Sequence, residues 1–220
     1  MSFEKDYYAV VRNFLPKELV EYVQYSCDIH ETIYLNKKPP TEDDPFPYGD
    51  PQSPESFSWY GAIHTEALLL YCGQRLSKIT GKELSETYSY TRAYYKGAEL
   101  KRHVDRHSCE YSGTICISKN GADWPIYFEN LEGNILECEL EPGDLAVYKG
   151  AEIPHWRKTY TGDRHVQIFV HYVDKNGLYG DSHLYDGRPF LGAPYHIKIR
   201  SNSSDTWKDQ SENLLFQARG

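Results

Sequence analysis

Three side chains in the middle of the chain have the chemical types and the spacing to hold one metal ion. His103 and Asp105 belong to a His-Val-Asp triplet, and His155 follows in a separate segment. Two imidazoles and one carboxylate bind non-haem Fe(II) on one face of an octahedron and leave the other face open. Arg164, nine residues after His155, adds a guanidinium whose planar fork suits a carboxylate. These residues predict an Fe(II) site beside an anion site.

The His-x-acid triplet is a weak motif alone, and the chain contains a second one, His64-Thr65-Glu66. Apolar residues at helical spacing predict a helix over residues 55–79 around it. Residues two apart on a helix point away from each other. We therefore expect His64 and Glu66 to be ordinary helix positions.

The segment before His103 has a different pattern. Residues 86–107 are rich in Tyr and Thr and are interrupted at Lys96-Gly97, which predicts two short strands or one bent strand. Side chains two apart in a strand project from the same face. His103 and Asp105 are therefore expected to reach the same ion.

The second half of the proposed site lies in residues 141–174. A turn at Pro142-Gly143 precedes a short apolar strand, and His155 follows at the mouth of the enclosed space. Side chains over residues 165–173 alternate between two faces as in a strand, and Arg164 falls on the face that carries the apolar set. A buried arginine is costly without an anion beside it, so Arg164 is expected to face an anion in the interior. The apolar set is Val166, Ile168, Val170 and Tyr172, and the opposite set is His165, Gln167, Phe169 and His171.

The order and spacing of these segments resemble the double-stranded β-helix (jelly-roll) 2-oxoglutarate oxygenases, and within them the prolyl-hydroxylase branch. The resemblance covers residues 85–175 and rests on AYYKGAELKRHVDRH, SGTICISKN, EPGDLAVYKG and the interval from His155 to Arg164. The opening is also similar, because the strand DYYAVVRNFL precedes a helix beginning at Pro16. The resemblance implies a mainly β fold with a jelly-roll, cupin-like core, flanking helices, and N-terminal helices packed on one sheet.

The resemblance also implies roles for six residues. The catalytic residues, which are also the metal ligands, are His103, Asp105 and His155. The residues that bind the co-substrate 2-oxoglutarate are Arg164, Tyr95 and Thr114. Arg164 would pair with the distal carboxylate, Tyr95 would line the pocket, and Thr114 would begin the strand beneath it.

Two positions depart from the hypoxia-sensing members of this branch. Ser118 and Leu100 stand where pocket tyrosines would be expected, so Arg164 is expected to have a different helper. Thr114, Tyr88 and Tyr90 are the open alternatives.

The activity that the resemblance implies is oxidative decarboxylation of 2-oxoglutarate coupled to C–H hydroxylation, with Fe(II) as the metal and ascorbate as reductant. Prolyl residues of a peptide or protein are the first expected substrate, as in a prolyl 4-hydroxylase. A free amino acid or another small metabolite is the alternative. A non-catalytic metal-binding jelly-roll module is a third possibility, against which Arg164 argues, since a structural metal has no use for a buried guanidinium.

Length and composition are consistent with one globular domain, which the resemblance implies is a jelly-roll oxygenase domain. We expect this domain to span residues 1–180, with an N-terminal strand and two helices in 1–82, a catalytic β core in 83–175, and a partly disordered arm in 181–220. The start of the chain lacks a signal-peptide pattern and no apolar stretch approaches membrane-spanning length, which predicts a cytoplasmic protein without membrane contact. The net charge of −8 argues against a broad nucleic-acid surface.

Five cysteines occur without a CxxC motif, which predicts free thiols. Cys109 lies near the proposed metal ligands in sequence, and we expect a neutral thiol there because three other ligands suffice.

Two further segments are irregular. The proline-rich residues 35–56 predict a long loop between the two helices, either a surface connection or a flap over the substrate. The tail after Asp174 has little periodicity, and PYHIKIRS within it is a possible edge strand. The final SENLLFQARG resembles an engineered protease-site remnant and carries no fold prediction.

Overall fold

The computed structural model describes residues 3–193, which fold into antiparallel strands with helices on one side. The strands of this part are β1 (Tyr8–Val11), β2 (Ser56–Tyr60), β3 (Leu84–Tyr95), β4 (Leu100–His103), β5 (Tyr111–Asn120), β6 (Ile126–Glu129), β7 (Ile135–Cys138), β8 (Leu145–Tyr148), β9 (His155–Arg157) and β10 (Arg164–Asp174). The helices are α1 (Phe3–Asp6), α2 (Lys17–Lys37) and α3 (Ile63–Thr80).

The strands form two sheets that enclose an interior. The larger sheet has six strands in the order β1-β8-β5-β10-β3-β2, and the smaller has four in the order β4-β9-β6-β7. Side chains of both sheets share one apolar cluster, which includes Ala146 and Tyr148 of β8 and Ile126 and Phe128 of β6. Strands remote in sequence are neighbours in both sheets, as in a double-stranded β-helix. The predicted jelly-roll core is confirmed.

Strand β10 lies at the centre of the larger sheet, and both of its faces are buried. The alternation predicted for residues 165–173 is confirmed. Val166, Ile168, Val170 and Tyr172 belong to the cluster that joins the sheet to the helices. The other face, with Phe169 and His171, borders the interior cavity. One face of β10 is therefore buried against the helices, and the other is buried in the interior that the two sheets enclose.

The helices α2 and α3 cover the outer face of the larger sheet. Leu68, Leu69, Cys72 and Leu76 of α3 pack into the same cluster as the apolar residues of β10, which confirms the predicted packing of N-terminal helices on one sheet. The predicted opening is also confirmed, because β1 precedes α2 and Pro16 stands at the N-cap of that helix.

The helix predicted over residues 55–79 is correct only from Ile63 onward. Residues 56–60 instead form β2, which pairs with β3. The segment SFSWY alternates small polar and aromatic residues, a two-residue period that suits a strand edge. Gly61, with a φ of +64°, then turns the chain into α3, since this conformation is easy for glycine alone.

The irregular segments have structured parts. Residues 38–55 connect α2 to β2, so the long loop follows a helix but precedes a strand. After β10, Arg188 returns to α3 and pairs with Glu66 at 2.7 Å, and both side chains are buried. Glu66 of the second His-x-acid triplet is thus a structural residue. PYHIKIRS and SENLLFQARG lie outside the described residues, and the division into residues 1–180 and 181–220 stays a prediction.

Two sequence predictions concern the whole described region. All five cysteines are buried and free, as expected. No helix within residues 3–193 has the length and apolar character needed to cross a membrane.

Candidate active site

The pairing of β4 with β9 brings the two halves of the predicted metal site together. His103 and His155 are direct partners across these antiparallel strands, and their ring centroids are 4.3 Å apart. Asp105 follows the end of β4, where its backbone N–H donates to the carbonyl of Gly150 at 2.8 Å. Its Oδ1 lies 3.5 Å from Nε2 of both histidines. All three donor atoms lie within 4.8 Å of one another.

Both histidines are oriented with Nδ1 toward a backbone carbonyl and Nε2 toward the centre of the site. Nδ1 of His103 lies 2.7 Å from the carbonyl oxygen of Lys101, and Nδ1 of His155 lies 3.1 Å from that of Ile153. A carbonyl oxygen only accepts, so each Nδ1 carries a proton and each Nε2, turned toward Asp105, is the atom available to a metal. A backbone carbonyl behind the ligating imidazole is a common arrangement in metal sites. The donor set therefore fits a divalent transition metal such as Fe(II).

Asp105 is held from behind by Ser112 of β5. The Ser112 hydroxyl donates to Asp105 Oδ2 at 3.0 Å, which leaves Oδ1 facing the histidines. Burial raises the pKa of Asp105, but His155 and the hydrogen bond from His103 outweigh burial and hold it well below its usual range. Gly150 passes so close that a Cβ there would collide with Asp105 Oδ2 and Ser112 Oγ. The site thus requires glycine at this position.

A second possible ligand group shares Asp105. Cys109, His171 and Asp105 also place donor atoms within 4.8 Å of one another. The Cys109 sulfur, however, lies 3.1 Å from the Tyr88 hydroxyl, and burial raises the pKa of its thiol well above the ordinary value. Burial lowers the pKa of His171 to about 4. A neutral thiol is a poor ligand, so the group around His103 is the better metal site.

A third group of acids lies at the surface. Asp123, Glu139 and Glu141 could also surround a cation, but Lys119 already places its ammonium 2.7 Å from Asp123 and Glu141 and 3.4 Å from Glu139. The lysine supplies the positive charge, so no metal is needed there.

The three-residue centre borders a cavity of about 580 Å³. Residues 50–52 of the long loop form part of its wall. Asp50 fixes them there, because it accepts hydrogen bonds from Arg92 at 2.5 Å and from Tyr90 at 2.8 Å. Arg106 pairs with Asp186 on another side. The aromatic residues of the wall are Tyr60, Tyr88, Tyr90, Tyr148 and Phe169.

The structure does not bring Arg164 or Tyr95 to this cavity. Arg164 lies on the helix side of β10 and donates to Asp28 at 2.7 Å and to Glu31 at 2.6 Å, both on α2. Tyr95 donates its hydroxyl to Glu31 as well. Arg164 lies on the same face of β10 as the apolar residues, as predicted. That face packs against the helices, however, and does not border the cavity in which an anion was expected. The anions that pair with Arg164 are therefore side-chain carboxylates of the protein itself.

Thr114 is the predicted co-substrate residue that does lie in the barrel interior. Its hydroxyl donates to Gln167 Oε1 at 2.9 Å, and both residues are fully buried. Leu100, Tyr88 and Tyr90, which the sequence singled out as departures or possible helpers, all line the cavity.

The sequence prediction did not include Asp50 and Arg92, which line the cavity, or the buried Arg157. Asp50 lies in a loop whose path no periodic pattern specifies. Arg92 lies two positions before Tyr94 on the inward face of β3, and Arg157 lies two positions after His155 on β9. The two-residue period of a strand would have indicated that both arginines face the interior.

Similarity to solved structures identifies the fold of this chain. The sequence matches no protein-family model and no curated protein sequence. The structure is similar to a Pseudomonas putida prolyl-4-hydroxylase, with a TM-score of 0.59, 16% identity, and coverage of 77% of this chain and 94% of that chain. The chain has the fold of the 2-oxoglutarate–Fe(II) oxygenases.

Two further solved structures share this oxygenase fold. HygX from Streptomyces hygroscopicus, with nickel and 2-oxoglutarate bound, has a TM-score of 0.58 at 11% identity and covers 79% of this chain and 85% of that chain. The non-haem alpha-ketoglutarate-dependent epimerase SnoN from nogalamycin biosynthesis has a TM-score of 0.60 at 10% identity and covers 92% and 88%. The oxygenase fold thus accompanies different reactions in these proteins.

Proposed function

We propose that this protein is an Fe(II)- and 2-oxoglutarate-dependent oxygenase. The observation that carries the proposal is the convergence of His103, Asp105 and His155, whose donor atoms lie within 4.8 Å of one another at the wall of a cavity. Two imidazoles and one carboxylate suit Fe(II), and these three residues would hold it with space in the cavity for a keto acid.

The protein residues would contribute binding, orientation and exclusion of water. His103, Asp105 and His155 would hold the iron, and Ser112 would keep Asp105 aligned. The apolar side chains of Leu100, Tyr148 and Phe169 in the cavity wall would limit the access of water to the reacting groups. The iron and 2-oxoglutarate supply the oxidative chemistry, in which decarboxylation to succinate and CO₂ accompanies hydroxylation of a C–H bond.

The leading substrate is a prolyl residue in a peptide or protein. The aromatic wall, with Tyr60, Tyr88 and Tyr90 beside the metal site, offers ring faces against which a pyrrolidine ring can pack. The similarity of fold to the Pseudomonas putida prolyl-4-hydroxylase supports this substrate class.

The second candidate is a small molecule. Residues 50–52 close one side of the cavity through the Asp50–Arg92 ion pair, and such cover favours a substrate of limited size. The similarity to HygX, solved with hygromycin B bound, supports this alternative. Substrates of both classes therefore belong in the test.

The test is to supply the purified protein with Fe(II), ascorbate, 2-oxoglutarate and oxygen and to measure succinate. A peptide library containing proline and a set of free amino acids and small metabolites serve as substrates, and products are screened for one added oxygen atom. We expect substrate-dependent succinate formation by the wild-type protein and none by Asp105→Ala. Tight Fe(II) binding without succinate from any substrate would instead favour a non-catalytic metal-binding module.

A further inference from the structure

The described part of the chain buries three arginines: Arg92, Arg157 and Arg188. Arg92 pairs with Asp50 and Arg188 pairs with Glu66. Arg157 makes no ion pair with any described residue. A guanidinium remains charged in proteins, and a buried charge without a counter-ion is strongly unfavourable. Arg157 therefore lacks the anion that each of the other two has.

The hydrogen bonds of Arg157 are also incomplete. Its Nη1 donates to the backbone carbonyl of Trp124, and the guanidinium carbon lies 4.8 Å from the centre of the Trp124 ring. Nε and Nη2 are buried and have no partner. These two nitrogens lie on the same edge of the planar fork, the edge that binds a carboxylate through two parallel hydrogen bonds. The unsatisfied edge thus matches a carboxylate.

Arg157 is suitably placed relative to the metal site. It is two residues after His155 on β9, so both side chains project from the same face of the strand. A strand advances about 3.3 Å per residue, which separates their backbones by about 6.6 Å. The keto-acid end and the distal carboxylate of a five-carbon diacid are separated by a similar length. One such molecule can therefore reach from the metal to Arg157.

A second unsatisfied donor lies against Trp124. The ring of His165 is 5.5 Å from the Trp124 ring. Thr114 donates to Gln167 Oε1, so the amide nitrogen of Gln167 is the group 2.6 Å from His165 Nε2. Nε2 therefore accepts, and the proton is on Nδ1, which is buried without a partner. Both polar groups lack an acceptor, as expected where an anion binds.

The other candidates for this role are already engaged. Arg164 lies on the helix side of β10 with Asp28 and Glu31. Arg92 borders the cavity, but its Nη2 has Asp50 and Gln52 as partners and only its Nε lacks one. The carboxylate that influences Arg157 electrostatically is Glu139. Its Oε1 lies 3.4 Å from Lys119, its Oε2 is buried without a partner, and it forms no ion pair with Arg157.

We propose that Arg157, and not Arg164, binds the distal carboxylate of 2-oxoglutarate. This assignment rests on the proposed function and specifies its co-substrate contact. It places the metal ligand His155 and the carboxylate anchor on the same three-residue strand.

The first test measures keto-acid binding, without turnover. Mn(II) replaces Fe(II), and the Kd values of 2-oxoglutarate and 2-oxopentanoate are determined by calorimetry. The second acid has the same chain length but a methyl group in place of the distal carboxylate. We expect the wild-type protein to prefer 2-oxoglutarate by about 10- to 100-fold, the range for charge-assisted hydrogen bonds. Arg157→Met should remove this preference, whereas the matched control Arg164→Gln should retain it.

The outcomes separate the two proposals. If the wild-type protein binds neither acid, the proposed function fails together with the assignment. If Arg157→Met retains the preference, or Arg164→Gln loses it, the assignment to Arg157 is overturned and the proposed function stands.

A stability measurement excludes a purely structural role. Removal of an unpaired buried charge should change the unfolding temperature of the ligand-free Arg157→Met protein little, while the increase caused by 2-oxoglutarate should disappear. Equal destabilisation by Arg157→Met and Glu139→Gln, with the preference intact, would make Arg157 a partner of Glu139 and overturn the assignment. Should Arg157→Met fail to fold, Arg157→Gln provides the same comparison, because it removes the charge but keeps a hydrogen-bonding side chain.

Discussion

His103 and His155 lie directly opposite each other on β4 and β9, although 51 intervening residues separate them in sequence. The strand pair sets the distance between the two imidazoles, and the backbone carbonyls of Lys101 and Ile153 set their orientation. The metal site is therefore organised before any ion binds. A preorganised site loses affinity steeply when one donor is removed, since no nearby group can replace it.

The first prediction concerns the metal ligands. We expect His155→Ala to weaken Mn(II) binding by more than about 100-fold, because loss of residues behind the ligands already costs 10–100-fold in such sites. Calorimetric titration of the metal-free protein measures the change. His64→Ala is the matched control, since His64 belongs to the other His-x-acid triplet and lies on α3. Equal metal affinity in both variants would contradict the site.

The second prediction concerns the support of Asp105. Ser112→Ala removes the hydroxyl that donates to Asp105 Oδ2 at 3.0 Å, so the carboxylate is free to rotate away from the histidines. We expect a loss of about 10–100-fold in Mn(II) affinity, measured by the same titration. Ser26→Ala is the control, because Ser26 bonds only within the exposed surface of α2. An unchanged affinity in Ser112→Ala would show that Ser112 does not orient the ligand.

The convergence of His103, Asp105 and His155 was predictable because local patterns indicated the orientation of each residue and the family resemblance supplied the long-range pairing. The parity of His103 and Asp105 and the turn before His155 each depend on a few neighbouring residues. The jelly-roll core was predicted through the resemblance to the oxygenase family, since alternation and turn residues mark individual strands but not their order in the sheets. The beginning of α3 was misplaced because Ser56–Tyr60 carries both aromatic and small residues, a composition that helix and strand share.

The position of Arg164 was not predictable from its own strand. Alternation assigns Arg164 to the face of Val166, but it does not say whether that face meets the helices or the barrel interior. Both faces of β10 are buried, so burial does not distinguish them. The acids that settle the question, Asp28 and Glu31, lie on α2 and are brought close only by the tertiary fold. Arg157 was overlooked because parity was not applied to β9.

The third prediction follows from this position of Arg164. We expect Arg164→Met to lower the free energy of unfolding by about 1–3 kcal/mol, because Glu31 is left buried with one partner fewer. Urea denaturation should show a lower midpoint with an unchanged slope. The double variant with Glu31→Gln should recover part of the loss. Arg164→Met with wild-type stability would show that the contact between β10 and α2 is not stabilising.

The fourth prediction concerns stability in acid. Asp186 accepts hydrogen bonds from Arg106, Ser108 and Tyr60. Burial raises its pKa, but these bonds outweigh burial and lower the pKa well below the ordinary value. The unfolded chain binds the proton at about pH 4, so ionised Asp186 stabilises the fold above that pH. The stabilisation is lost as the pH falls further, because the unfolded state takes up the proton first.

We therefore expect the wild-type free energy of unfolding to decrease between about pH 5 and pH 3 more steeply than that of Asp186→Asn. Asparagine suits this comparison because Asp186 has a φ of +58°, a conformation that asparagine tolerates better than most residues. Arg106→Gln should reduce the same slope, since Arg106 provides the main stabilisation of the ionised carboxylate. Equal slopes in the wild-type protein and Asp186→Asn would mean that this carboxylate does not couple protonation to folding. The Arg106–Asp186 pair would then be a contact of the cavity wall without a measurable contribution to acid stability.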